Sequence, residues 1–169
     1  IDDSIAPQIG HIQVHEKGFW KNRTLEYAFK NDGMLEKIRS VRHVKGAAPR
    51  ASAGGLVIFR DSSAGGEILA VEPEHEKNIT TLHKYILPGG RYLQNGDTRS
   101  IVLGNTLAGI LGVKTGDNVS LVSQGFDGSI AAGGFTVAGI FKCPNIEYNR
   151  NLALIPFEEG VRTFSMADF

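Results

Sequence analysis

The sequence predicts an α+β fold of two units, and three observations carry that reading. Glycine supplies 21 of the 169 residues, well above the usual share of near 7%, and much of it sits in turn-forming pairs such as Gly54-Gly55, Gly65-Gly66, Gly89-Gly90 and Gly133-Gly134. Short apolar runs with period-two alternation lie between these pairs, as strands joined by tight turns require. A few segments carry apolar residues at helical spacing instead.

The first candidate strand is 11–15, where Ile12 and Val14 share one face and His11, Gln13 and His15 the other. Asp32 is placed to cap a helix whose apolar stripe is Met34, Leu35, Ile38 and Val41. The first fifty residues therefore read strand, helix, strand. The glycine-rich segment 51–55 marks a boundary, dividing the chain into units 1–52 and 53–169.

In the second unit, strands are expected over 56–59, 67–71, 100–103, 118–122, 135–141 and 152–155, the first two forming a hairpin across 59–67. Pro73 starts a helix with Glu74 and Glu76 near its positive end and Ile79, Leu82 and Ile86 as its stripe, stopped by Pro88-Gly89-Gly90. Asn105 caps a third helix carrying Leu107, Ile110 and Leu111 and ending at Gly112. Pro156 starts a fourth with Phe157, Val161 and Phe164. Asn95-Gly96-Asp97 and Asp127-Gly128 add hairpin-type turns.

Composition narrows the function. Eighteen Lys and Arg balance eighteen Asp and Glu, so no overall field draws the chain to a nucleic-acid backbone. The basic run Arg39, Arg42, His43, Lys45 and Arg50 is interrupted by Val41, Val44 and Pro49 and reads as a solvated face. The most apolar stretch, 131–141, is far short of the roughly 20 residues a membrane-crossing helix needs. Ile1-Asp2-Asp3-Ser4 lacks the order of a secretory signal, and the start reads as a cut inside a larger protein. Cys143 is the sole cysteine, with a structural reading favoured over a reactive one.

No constellation for bond chemistry stands out. Residues 104–115 resemble a phosphate cradle, but Val113 separates Gly112 from Lys114, whereas a Walker loop needs Gly-Lys-Ser/Thr in succession. As strand residues, His11 and His15 stand about 13 Å apart, too distant to share an ion. His75 and His83 are too far apart along a helix, and His43 stands among basic residues. Ser62-Ser63 falls near a hairpin tip without a G-x-S-x-G elbow. Glu72, Glu74 and Glu76 have a sufficient structural reason at a helix start. Catalytic, metal-ligating and cofactor-binding residues are accordingly expected to be none.

The order of motifs points elsewhere. Gly10-His11-Ile12-Gln13-Val14, Ala70-Val71-Glu72-Pro73-Glu74-His75-Glu76, Gly90-Arg91-Tyr92-Leu93, Ile101-Val102-Leu103-Gly104 with Leu107-Ala108, Leu111-Gly112-Val113-Lys114-Thr115-Gly116-Asp117, and Phe135-Thr136-Val137-Ala138-Gly139-Ile140-Phe141 follow one another along the chain. In that order they resemble the MacB-like periplasmic core domain of ABC-transporter permeases, the superfamily of MacB, the lipoprotein-releasing permeases and FtsX. The resemblance runs from about Gly10 to Phe164. It implies half of a split βαβ, porter-like unit in 1–52, with an inserted, mainly antiparallel, sabre-like unit in 53–169. The complementary strand, helix and strand are expected beyond Phe169, which leaves an open sheet edge on the first unit.

The resemblance further implies a non-catalytic extracytoplasmic domain of an inner-membrane permease that transmits ATP-driven motion. Its partners are a second permease subunit, a cytoplasmic ATPase, and a periplasmic carrier or adaptor protein. The cargo class is lipoprotein, drug or peptide. Lipoprotein-release members extend a proline-containing hook from the hairpin matching 123–134, whereas residues 124–133 here hold no proline. The partner-contact residues expected from that hairpin are Gln124, Gly125, Phe126, Asp127, Gly128, Ser129 and Ile130, with Phe126 foremost. The alternative is a free-standing extracytoplasmic protein-binding module using the loop from Gly125 to Gly134.

Overall fold

The computed structural model describes residues 10, 12–22 and 24–166. Its elements run α1 (Phe19–Asn22), a 3₁₀ turn (Leu25–Tyr27), α2 (Met34–Ser40), β1 (Arg50–Phe59), β2 (Ser62–Val71), α3 (Pro73–Ile79), a second 3₁₀ turn (Leu82–Tyr85), β3 (Ser100–Gly104), α4 (Asn105–Leu111), β4 (Asn118–Gln124), β5 (Ile130–Phe141), α5 (Ile146–Asn151), β6 (Leu152–Pro156) and α6 (Phe157–Thr163). The fold is the expected mixed α+β type. Six strands close into a barrel in the order β1-β2-β6-β3-β5-β4, with β4 returning to β1. Four pairings are antiparallel and two, β2 with β6 and β3 with β5, are parallel.

Every expected strand of the second unit forms, and all six run longer than expected, β1, β2 and β5 by five residues or more. The β1–β2 ladder runs unbroken from Arg50↔Val71 to Phe59↔Ser62, so the turn is only Arg60-Asp61, with Arg60 at φ 53°. Ser62 and Ser63 thus open a strand instead of sitting on a hairpin tip. The glycines of 51–55 lie inside β1. At Gly55 the reason is contact: a Cβ there would strike the Ile68 side chain and come within 2.6 Å of the Val122 carbonyl oxygen. A side chain at this point would push β1 away from both neighbours.

Strand parity sorts the core. Ala51, Ala53 and Val57 of β1, Ile68 and Ala70 of β2, Ile101 and Leu103 of β3, Val119 and Leu121 of β4, Phe135 and Val137 of β5, and Ala153 and Ile155 of β6 form one cluster. Since side chains alternate along a strand, these residues fill the barrel interior, joined by Leu107, Leu111, Phe164 and Met166. The opposite parity of three strands, Val71, Val102, Leu152 and Leu154, packs with Leu82, Tyr92, Leu93, Phe141 and Cys143 into a second cluster. Strands β3 and β6 are buried along their whole length because both their faces are covered.

A bulge in β5 lets it serve both clusters. Its register with β3 passes from Ile101↔Val137 to Val102↔Gly139, leaving Ala138 as the extra residue. The inserted residue reverses the side-chain phase, so Phe135 and Val137 face the barrel interior while Phe141 packs in the outer cluster. The segment after the second 3₁₀ turn then runs along the bulged strand, with Leu87 N–H donating to the Ile140 carbonyl at 2.8 Å and Arg91 N–H to the Ala138 carbonyl at 2.9 Å. Gly139 is required at the crossing, since a Cβ on it would collide with the Arg91 carbonyl oxygen.

Several helical expectations are corrected. Helix α3 stops at Ile79, and Thr80 is extended, so the helix expected to reach Ile86 is two pieces; β-branched Thr80 and Thr81 are poor at continuing it. Leu82 is nonetheless buried in the outer cluster, with Ile86 packed against it. Asp32 does not cap α2: Gly33 is the left-handed N-cap, and Asn31 Oδ1 accepts from Leu35 N–H at 2.8 Å. Gly104, with no side chain, precedes α4 where Asn105 was expected as the cap. Helix α5 lies outside the expected elements, and Asn145 caps it by accepting from the N–H groups of Glu147 and Tyr148.

The strand expected over 11–15 is not found at 12–15, and His11 lies outside the described residues. Ile12 and Val14 are exposed, and His15 stacks on Phe19 instead. A lone strand has no partner for its backbone groups, and among the described residues no strand precedes β1. The open edge expected for the first unit is therefore also absent among them.

One buried ion pair ties β1 to α3. Arg50 donates from Nε and a terminal nitrogen to the two oxygens of Glu76, at 3.1 and 2.5 Å, and the Glu76 side chain is almost fully buried. Glu72 receives Arg39 at 3.5 Å and His75 at 2.6 Å, while Glu74 pairs with Lys77. The acidic triplet at this helix start is thus committed to structure. Burial, reinforced by the Glu76 carboxylate and opposed by Arg50, holds the Tyr92 phenol protonated well above its ordinary range.

Replacing Gly139 with Ala tests the bulge crossing. The added methyl is expected to cost about 1–3 kcal/mol, as overpacking does, read as a lower urea midpoint with an unchanged slope. Wild-type stability in the variant would show that the Arg91 segment yields freely.

Candidate functional site

The β4–β5 hairpin is where sequence reasoning placed the partner contact. Gln124 ends β4 and faces Ile130, the first residue of β5, across the ladder. Between them Gly125 N–H donates to the Ser129 carbonyl at 2.9 Å and Gly128 N–H to the Gly125 carbonyl at 3.0 Å. Gly128 has φ +80°, a conformation glycine adopts without strain. Gly125 is buried, and a Cβ there would sit 2.9 Å from the Asp127 carboxylate.

Asp127 organises the tip. Its Oδ1 accepts from Ser129 N–H at 3.0 Å and from the Ser129 hydroxyl at 2.6 Å, an Asx turn that explains why Asp stands there. These bonds favour the ionised carboxyl and draw its pKa below the usual 3.8. The loop is also anchored from outside the hairpin, because Phe126 N–H donates to the Phe164 carbonyl at 2.7 Å, and the Phe164 side chain is wholly buried in the barrel interior.

The display is apolar. Ile130 is 84% exposed and Phe126 36% exposed. Register adds residues that sequence reasoning did not select: Leu56 lies opposite Val122, and Val122 opposite Ala132. Ile130 shares the outward parity of Ala132, so Leu56, Val122, Ala132 and Ile130 lie on the outer face of three adjoining strands. Leu56 is itself exposed. No local pattern marks it, because its closeness to Ile130 comes from the β1–β4 pairing. The seven expected residues are thus contiguous in one hairpin, five in its turn and Gln124 and Ile130 at the strand ends, with an apolar stripe beside it.

The remaining candidates occupy separate, structural positions. Cys143 is buried, its N–H donating to Asn149 Oδ1 and its carbonyl accepting from Asn149 Nδ2. His75 engages Glu72, whereas His83 lies on the second 3₁₀ turn, its pKa lowered by burial and then by Lys84 and Lys77. His43 sits at φ 74° in the α2–β1 connection. Lys114 N–H donates to Asp117 Oδ2 at 2.8 Å, a turn after α4 and not a phosphate loop. Among the described residues, no three His, Cys, Asp or Glu side chains are grouped to hold a metal ion, and no helix is long and apolar enough to cross a membrane.

Comparison with known proteins places these features in context. The family model of the MacB-like periplasmic core domain matches residues 1–168. The extracellular domain of the noncanonic ABC-type transporter YknZ from Gram-positive bacteria shares the fold with a TM-score of 0.59 at 14% identity, over 85% of this chain and 72% of that one. The periplasmic region of MacB from Actinobacillus actinomycetemcomitans does so with a TM-score of 0.57 at 14% identity, over 89% of this chain and 66% of that one. No protein of curated function matches the sequence.

The Asp127 turn has a defined pH signature. Its depressed pKa means its contribution is complete above the ordinary carboxylate range and is lost as pH falls through the folded-state value, below 3.8. Hydrogen exchange at Ser129 is expected to accelerate in that acid window while the barrel strands stay protected, and Asp127→Ala should show fast Ser129 exchange already at neutral pH. Equal protection of Ser129 in the variant would remove Asp127 as the organiser.

Proposed function

The chain belongs to the MacB-like periplasmic core domain family, and on that premise we propose that it is the extracytoplasmic domain of an ABC-transporter permease and passes ATP-driven motion to cargo or partners outside the cytoplasm. The observation that carries the reading is the family match over residues 1–168. The fold shared with the extracytoplasmic parts of two transporters supports it.

In this reading the domain does no bond chemistry; ATP hydrolysis belongs to a cytoplasmic ATPase, and the permease works beside a second permease subunit. Residues 53–169 are the inserted sabre-like unit and residues 1–52 the first half of the porter-like unit, with β1 leading from one to the other. A closed barrel suits a transmitter, since closure leaves no free sheet edge to peel. The contact with a carrier or adaptor protein is assigned to residues 124–130, through Phe126 and Ile130. The short, proline-free turn between β4 and β5 favours drug or peptide export over capture of a lipoprotein carrier.

The test uses the full permease. Exchanging residues 1–168 for a flexible linker is expected to leave ATP hydrolysis in place and abolish transport, and transport that persists would overturn the reading. Replacing residues 125–129 by Asn-Gly, with the barrel intact, separately tests the loop: transport should fall while ATP hydrolysis continues.

A further inference from the structure

Charge is distributed unevenly along a chain whose total is zero. Residues 12–45 hold eight Lys and Arg against four Asp and Glu, a net of +4, whereas residues 51–169 hold nine against twelve, a net of −3; Asp2, Asp3 and Arg50, the last paired with Glu76, complete the balance. The basic segment also carries exposed large apolar side chains, among them Ile12, Val14, Trp20 and Val41. Its helix α2 buries no residue.

Three aromatic side chains of this segment, His15, Phe19 and Trp20, cluster at its surface. His15 stacks on Phe19 at 4.2 Å with the rings 5° from parallel, and Trp20 meets both edge-on at 4.9 and 5.7 Å. Trp20 is 61% exposed. Lys17 and Lys21, both exposed, flank it, and exposed Arg42 and Lys45 flank Val44. Trp beside Lys is the chemistry of the membrane–water interface, where an amphipathic ring sits at headgroup depth and lysine reaches phosphate.

From this placement we propose that residues 12–45 form a docking surface for an anionic lipid bilayer, Trp20 entering the headgroup layer and the lysines and arginines meeting the lipid phosphates. Charge complementarity selects this occupant. The apolar side chains are interspersed with cations along a mostly irregular segment, which suits a fluid, uniformly negative surface better than a shaped protein pocket. The net negative charge of residues 51–169 turns the barrel away from the same surface and so orients the domain. This goes beyond the permease reading, and failure to bind lipid leaves that reading standing.

Trp20 is the sole tryptophan, so its emission reports the contact directly. Vesicles of phosphatidylcholine containing about one-third phosphatidylglycerol are expected to shift the emission to the blue and to co-sediment the chain, with binding lost in high salt and absent on pure phosphatidylcholine. Changing Lys17→Gln and Lys21→Gln should weaken binding by about fivefold each, and Trp20→Ala should reduce co-sedimentation; these exposed positions leave the barrel intact, checked by circular dichroism. The proposal is overturned by no binding to anionic vesicles or by equal, salt-insensitive binding to both compositions. It is equally overturned by a blue shift without vesicles that grows with protein concentration alongside a dimer in sedimentation, which would assign the surface to a second copy of the chain.

Discussion

Ring closure is the constraint on which the rest of this structure depends. Six strands meet edge to edge only because β1 pairs with β4 while remaining paired with β2, and that double pairing demands close backbone approach at Gly55. Closure gives the strands one shared interior, in which Ala51, Ala53 and Ala70 of β1 and β2 leave room for Ile101, Leu103, Leu121 and Phe135 of β3, β4 and β5. It also removes the free edges that would otherwise invite pairing with other chains. Where the interior ends, α4 and the residues following α6 supply Leu107, Leu111, Phe164 and Met166 to seal it.

The bulge at Ala138 makes the second layer possible. A regular β5 would point Phe141 into the same interior as Phe135 and Val137; the inserted residue sends it outward, to meet Leu82, Leu93 and Cys143. The covering segment needs Gly139 to cross β5, so one glycine and one unpaired residue determine where the outer core sits. The Arg50–Glu76 pair then holds α3 against the start of β1. Breaking such a pair leaves a buried charge without its partner, which makes it a costly joint to open.

The loop that presents Phe126 and Ile130 is anchored to this arrangement. Its tip is shaped locally by Asp127 and Ser129, but its orientation is held by a bond from Phe126 N–H to the Phe164 carbonyl. Phe164 is buried in the barrel interior, so that hydrogen bond ties the loop to the core.

Much of this was legible in the residues themselves. The six strands of the barrel were visible because alternation and glycine pairs are local signals, and the turn at 124–130 because Asp127-Gly128 has its own chemistry. Helix α5 has a local signal too, in the capping residue Asn145. The long 3.6-period reading over 73–86 failed because Leu82 and Ile86 were apolar for a tertiary reason: they cover the outer layer, not one stripe of a helix. The strand read at 11–15 failed because alternation shows how a strand would present its faces without showing that a partner strand exists.

What the sequence alone determined is therefore the identity of the barrel strands, the turn at the candidate contact and the absence of an overall field, all properties of residues close together in the chain. What only the tertiary structure decided is the closing β1–β4 pairing, the phase reversal in β5, the Arg50–Glu76 joint and the placing of Leu56 on the face of Ile130. Each of those joins segments far apart in sequence, and long-range pairing depends on how whole surfaces fit together, which no local spacing encodes.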